Sequence, residues 1–109
     1  MLARKYLESS GYSILETNWR FKRLEVDIIA RNSSAIIFVE VKFRSSGDIA
    51  EPELSVGKKK QAFLISAAHH YLTIHDVELE ARFDIISMTG PLPDPQIRHL
   101  ESAFFPIAK

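Results

Sequence analysis

Residues 24–44 read LEVDIIARNSSAIIFVEVKFR, and most of this run is apolar at consecutive rather than alternate positions. Ile28, Ile29 and Ala30, then Ile36, Ile37, Phe38 and Val39, put apolar side chains on both faces of any strand they form, because successive side chains point to opposite sides. Strands of this kind lie inside a sheet that is covered on both faces. Asn32-Ser33-Ser34 separates the two runs and predicts a hairpin. Two charged words interrupt them, EVD at 25–27 and EVK at 40–42. Acids at the end of a covered strand are costly unless they are paired or bind a metal.

The rest of the chain supplies the covering layers. Leu2, Ala3, Tyr6 and Leu7 share one helical face, and Gly11 is the expected stop. Tyr12 and Ile14 begin an alternating run towards Trp19, which predicts a strand. Strands are expected over 24–31 and 35–43, then a loop over Ser45–Glu53 marked by Gly47, Asp48 and Pro52. Phe63, Leu64, Ala67, Ala68, Tyr71 and Leu72 form an apolar stripe, predicting a helix from about Ser55 to Ile74. Arg82–Thr89 and Gln96–Phe105 read as two further strands around the Gly- and Pro-rich break at 90–95. This order predicts an α/β fold, a mixed sheet flanked by helices. The hairpin strands are antiparallel, and the strand after the long helix can run parallel.

With 109 residues the chain suits one compact domain, 1–109. Lys and Arg total 14, as do Asp and Glu, so a strongly basic nucleic-acid-binding domain is disfavoured and local patches carry any such role. The absence of cysteine excludes thiol catalysis, disulfides and thiolate metal sites. No signal peptide and no apolar stretch of membrane length is visible, so a cytoplasmic protein without membrane contact is expected.

A two-residue turn at Ser33-Ser34 pairs Asn32 with Ala35. It then sets Asp27 opposite Glu40 and Glu25 opposite Lys42. Strict alternation gives Glu25 and Asp27 one face, Val26 and Ile28 the other, and places Glu40 with Lys42. Opposed Cβ atoms lie about 4.5–5.5 Å apart. Two carboxylates at that separation can share one hard divalent cation, whose oxygen ligands stand roughly 2.0–2.6 Å away. A three-residue turn would put Asp27 and Glu40 on opposite faces. The competing reading is the wet face of an ordinary antiparallel sheet, against which the two-sided apolar runs weigh. His69, His70 and His75 lack the spacing of a zinc-binding helix, and no phosphate loop or nucleophile elbow is present.

The same words carry a resemblance. Asp27, followed by Glu40-Val41-Lys42, resembles the PD-(D/E)XK signature of restriction-endonuclease-like nucleases. DIIA and FVEVKFRS are similar to segments of archaeal-type Holliday-junction resolvases. ARKYLESSGY, NWR, LEVD, FVEVKFR, RFDIIS and IRHLESAF, in that order, resemble the bacterial YraN-like family over nearly the whole chain, with Leu24 where that family usually has Gly.

The resemblance implies a restriction-endonuclease-like mixed β-sheet flanked by helices. It also implies a metal-dependent endonuclease-like hydrolysis of phosphodiesters, in structured or branched DNA. Asp27, Glu40 and Lys42 would be catalytic. Asp27, Glu40 and the Val41 carbonyl would hold Mg²⁺ or Mn²⁺, while Glu25 either touches a second metal or pairs with Lys42. Arg44, Lys58, Lys59, Lys60 and Gln61 are the candidate nucleic-acid contacts, although three lysines in a row also suit a solvated helix face. Such enzymes commonly form homodimers. Glu8, the only acid of the first helix, matches no family position and takes no role. The alternative is a nucleic-acid- or protein-binding module that keeps the fold without catalysis.

Overall fold

The computed structural model describes residues 1–44 and 56–106. In chain order the elements are α1 (Leu2–Ser9), β1 (Ser13–Phe21), β2 (Leu24–Arg31), β3 (Ala35–Arg44), α2 (Lys58–Ile74), β4 (Glu80–Thr89) and β5 (Gln96–Phe104). The strands form one five-stranded sheet in the order β1-β2-β3-β4-β5. Among the described residues only β3 and β4 run parallel, joined by the crossover that contains α2; the other neighbours are antiparallel. This is the mixed α/β architecture expected from the sequence, and it is compatible with a restriction-endonuclease-like fold. The expected Ser45–Glu53 loop lies outside the described residues, as does Ser55, and α2 begins at Lys58 after Gly57.

Local chemistry explains the element ends. α1 stops at Gly11, whose φ of 95° suits a residue without a Cβ. There the Tyr12 amide donates to Leu7 and the Gly11 amide to Glu8, the paired bonds of a Schellman motif. In the β2–β3 turn, Asn32 Oδ1 accepts from the Ser34 and Ala35 amides, both at 2.9 Å. That side chain mimics a turn of backbone and makes the unfavoured Ser-Ser pair workable. The expected register follows, with Ile28 opposite Val39 and Arg31 opposite Ile36.

The sheet separates two apolar layers. On one face Ala3 and Leu7 of α1 pack on Ile28, Ala30, Ile37, Val39, Ile86 and Met88. On the other, Leu64, Ala67, Ala68 and Tyr71 of α2 pack on Val26, Ile29, Ile36, Phe38 and Phe83. Each fully buried Ile or Phe contributes roughly 1.5–3 kcal/mol over its exposed state. Among the described residues no helix is long and apolar enough to cross a membrane.

One expectation fails. Val26 packs on the α2 face whereas Ile28 packs on the α1 face, so they do not share a side. Between the pairs Thr17–Ile28 and Trp19–Val26 lie Asn18 and Asp27. Asn18, on the neighbouring strand, adopts a left-handed φ of 52° in this stretch. Glu25 still lies close enough to Asp27 for its charge to act on that carboxyl.

Candidate metal centre

The β2–β3 ladder stops at Ile28–Val39, one step short of Asp27 and Glu40. Past that point the strands part, and the Val41 amide donates to Asp27 Oδ2 at 2.7 Å. Ile36 and Phe38 fix the α2 face of β3, so Glu40 and Lys42 follow on that face by alternation. From the first turn of α2, Lys60 Nζ reaches to 3.5 Å from Glu40 Oε1. This is an ion-pair distance at the limit of a hydrogen bond. Glu40 Oε1 is buried, with no hydrogen-bond partner among the described residues.

Burial raises both carboxyls above their ordinary values. For Asp27 desolvation outweighs the Val41 hydrogen bond and the charge of Lys60. For Glu40 desolvation is joined by the charge of Asp27 and opposed by Lys60 and Lys42. The two acids thus feel each other in a partly water-excluded corner, where a cation would favour their ionised forms.

The donor set matches a particular class of ion. Among the described residues no three His, Cys, Asp or Glu side chains gather as a metal cage. Two carboxylates and a main-chain carbonyl suit Mg²⁺ or Mn²⁺, since Mg²⁺ keeps several waters and is often held by one or two carboxylates. Zinc would require nitrogen or sulfur ligands that are not gathered here.

The other expected site residues divide. Lys42 contributes positive charge at Glu40, and Arg44 ends the same strand, its carbonyl accepting from the Gly90 amide at 3.2 Å. Lys58 and Lys59 are exposed at the start of α2. Lys60, expected as a phosphate contact, instead faces Glu40. Gln61 Nε2 donates to the Val56 carbonyl at 2.8 Å and so ties the helix entry to the preceding chain. The ladder does not extend far enough to set Glu25 opposite Lys42. Glu25 accepts from Arg20 at 3.0 Å across the β1–β2 ladder, an exposed pair.

A second polar cluster, on the α1 side of the sheet, escaped the sequence reading. Asp84 is buried on β4, and Arg82 grips it through Nε at 3.0 Å and Nη2 at 2.8 Å. His99 Nε2 lies 2.7 Å from Asp84 Oδ2, while the other ring nitrogen meets the Tyr6 hydroxyl at 3.0 Å. Arg82 also donates to the Tyr12 hydroxyl at 2.6 Å. Burial pushes the Asp84 carboxyl up, but hydrogen bonds from His99, Arg82 and the Ser102 amide outweigh it and hold the group below its ordinary value. A lone acid inside Phe83-Asp84-Ile85-Ile86 was the available signal, by the same reasoning that picked out Asp27.

Comparison with known proteins gives a family of relatives. Residues 1–88 match the model of the Uncharacterised protein family UPF0102. A UPF0102 protein of Flavobacterium psychrophilum is 42% identical over 104 residues, spanning 95% of this chain and 87% of that protein. One of Geobacter metallireducens is 44% identical over 104 residues, spanning 94% and 85%. One of Porphyromonas gingivalis is 37% identical over 105 residues, spanning 94% and 78%. Family match and full-length similarity coincide: the chain belongs to the UPF0102 family.

Proposed function

We propose that the protein is a metal-dependent nuclease whose centre is the Asp27–Glu40 pair. The observation that carries this reading is Glu40 Oε1, a buried acceptor met only by the long 3.5 Å contact of Lys60 among the described residues, beside a second desolvated carboxylate. Leaving such an oxygen unsatisfied is costly, and a divalent cation would relieve it. Asp27, Glu40 and the Val41 carbonyl are the residues that would hold Mg²⁺ or Mn²⁺. When bound, the ion supplies Lewis-acid polarisation of a phosphoryl oxygen and acidifies a coordinated water.

The chain's own residues do the rest. The Val41 amide fixes the Asp27 carboxylate by its hydrogen bond, leaving the group little freedom to turn away. Lys42 and Lys60 place positive charge beside Glu40, where charge builds on an attacked phosphodiester. Lys58, Lys59 and Arg44 serve as contacts to the phosphate backbone, which hold the substrate without reading its sequence. Structured or branched DNA as the substrate rests on the resolvase resemblance.

Cleavage of branched and linear DNA with Mg²⁺ or Mn²⁺ tests the reading, comparing the wild type with Asp27→Asn and Lys42→Ala. Both substitutions are expected to abolish or greatly reduce cutting, and activity unchanged by either refutes the site. One observation favours a second reading, a binding module without catalysis. Lys60 already provides Glu40 with a counter-charge that needs no metal. DNA binding without cleavage in any divalent ion would select that module.

A further inference from the structure

The β1–β2 hairpin turns at Lys22, with φ 59°, and Arg23. Between its tip and the outer side of α2 lies a cleft of about 530 Å³ lined by Phe21, Lys22, Ser66, His69, His70 and Thr73. Phe21 is half-buried, and the other five are exposed. None of the six is acidic. The Phe21 ring stacks on Trp19 at 6.0 Å and lies 5.1 Å from the His70 ring. Lys22 Nζ hangs over Phe21 at 5.3 Å. The Thr73 hydroxyl is already committed to the His69 carbonyl at 2.8 Å. That leaves Lys22, Ser66 and the two imidazoles as the groups that can meet a ligand.

The cleft is joined to the metal centre by direct contacts. Phe21 packs on Phe63 at 5.9 Å, Lys60 Nζ sits 5.8 Å from the Phe63 ring, and the same Lys60 faces Glu40. An aromatic surface with a lysine, imidazole N–H groups and no carboxylate is the chemistry with which proteins hold unpaired nucleic acid. Bases stack on rings without regard to sequence, and cations follow the phosphates.

We propose that this cleft takes one unpaired nucleotide of a single-stranded segment, its base on the Phe21 and His70 rings and its phosphate on Lys22 and His69. The proposal rests on the nuclease reading for the identity of the ligand class, and it gives that reading a preference for substrates with single-stranded arms. A base-paired nucleotide cannot enter with its base face exposed, so a blunt duplex gains nothing from the cleft.

Trp19 is the only tryptophan and stands against both Phe21 and His70, at 6.3 Å from the latter. Its emission therefore reports the cleft directly. Titration with a thymidine homo-oligonucleotide in EDTA is expected to change Trp19 fluorescence saturably. His70→Ala and Lys22→Ala should each weaken the affinity on the order of tenfold, with oligonucleotide anisotropy as a second readout. Ser10→Ala, at the end of α1 on the other side of the sheet, should leave the affinity unchanged. A silent Trp19, an affinity unmoved by both cleft substitutions, or an equal response to inorganic phosphate alone overturns the proposal. Failure of the nuclease reading looks different: the oligonucleotide binds through the cleft, yet no substrate is cut in any metal.

Discussion

Asp27 and Val41 meet side chain to main chain at 2.7 Å, where β2 and β3 cease to pair. The carboxylate occupies the place of a missing ladder bond. It satisfies an amide that the parting strands would otherwise strand, while remaining next to Glu40.

Removing the charge and removing the acceptor should therefore separate. Asp27→Asn keeps a carbonyl for the Val41 amide and relieves a desolvated charge, so stability should stay within about 1 kcal/mol of wild type. Asp27→Ala leaves the amide unsatisfied and should cost about 1–3 kcal/mol. Urea unfolding measures both, and cleavage should be lost in both.

The acids on the two faces predict opposite pH behaviour. Asp27 and Glu40 have carboxyls raised by burial above 3.8 and 4.5. Between those values and the raised ones, the folded protein holds protons that the unfolded chain has released. Their contribution to stability is thus most favourable below 3.8 and 4.5 and declines as pH climbs through the raised values. Asp84 is lowered from 3.8, so its contribution is complete above that value and is lost as pH falls through the lowered one. An Asp27→Asn, Glu40→Gln double variant should gain on the wild type as pH rises towards neutral, read as urea midpoints across pH. Mn²⁺ affinity of the wild type should increase over the same rise, because a cation competes with protons for the carboxylates.

Lys60 lowers the carboxyl values of both Asp27 and Glu40. Lys60→Met should let both rise further, visible in carboxyl-carbon NMR titrations. The ion pair is partly exposed, so the stability change should stay within about 1 kcal/mol. An unmoved Glu40 titration would mean that the lysine does not face that acid in solution.

On the α1 face, Asp84→Ala would leave Arg82, His99 and the Ser102 amide without their shared acceptor. Losing one partner of a buried charge cluster should cost about 3–5 kcal/mol. Asp84→Asn, which keeps an acceptor, should cost less in the same chemical denaturation.

Asn18 tests the link between backbone and site. Asn18→Gly accepts the left-handed conformation, whereas Asn18→Val should cost about 1–3 kcal/mol. If the conformation helps to aim Asp27, Asn18→Val should also reduce cleavage in protein that is still folded, and Asn18→Gly should not.

Much of this arrangement was legible in the sequence because it depends on short-range periodicity. The two-sided apolar runs marked covered strands, and the two-residue turn set the register up to Ile28–Val39, one step before Asp27 and Glu40. The positive φ of Asn18 was not legible, since an asparagine in a strand pattern does not announce one. Neither was the partner of Lys60, which depends on how α2 lands after the crossover. Arg20 claimed Glu25 because the β1–β2 ladder continues past the point where β2–β3 ends. Asp84 is an acid inside an apolar strand, but its partners come from β4 and β5 together, and only the assembled sheet brings His99 within reach.

In the parallel ladder Val39 pairs with Asp84 and Glu40 with Ile85, so buried Asp84 and half-buried Glu40 sit on adjacent strands and turn to opposite sides. Moving β4 along β3 by one residue would reverse every β4 side chain. Asp84 would then enter the layer around Phe38 and Tyr71, away from His99, and Phe83 would be driven against α1. Apolar residues alone would tolerate such a slip better, because Ile, Val and Phe occupy both faces of these strands. The acids act as pegs that allow one alignment of an otherwise permissive sheet.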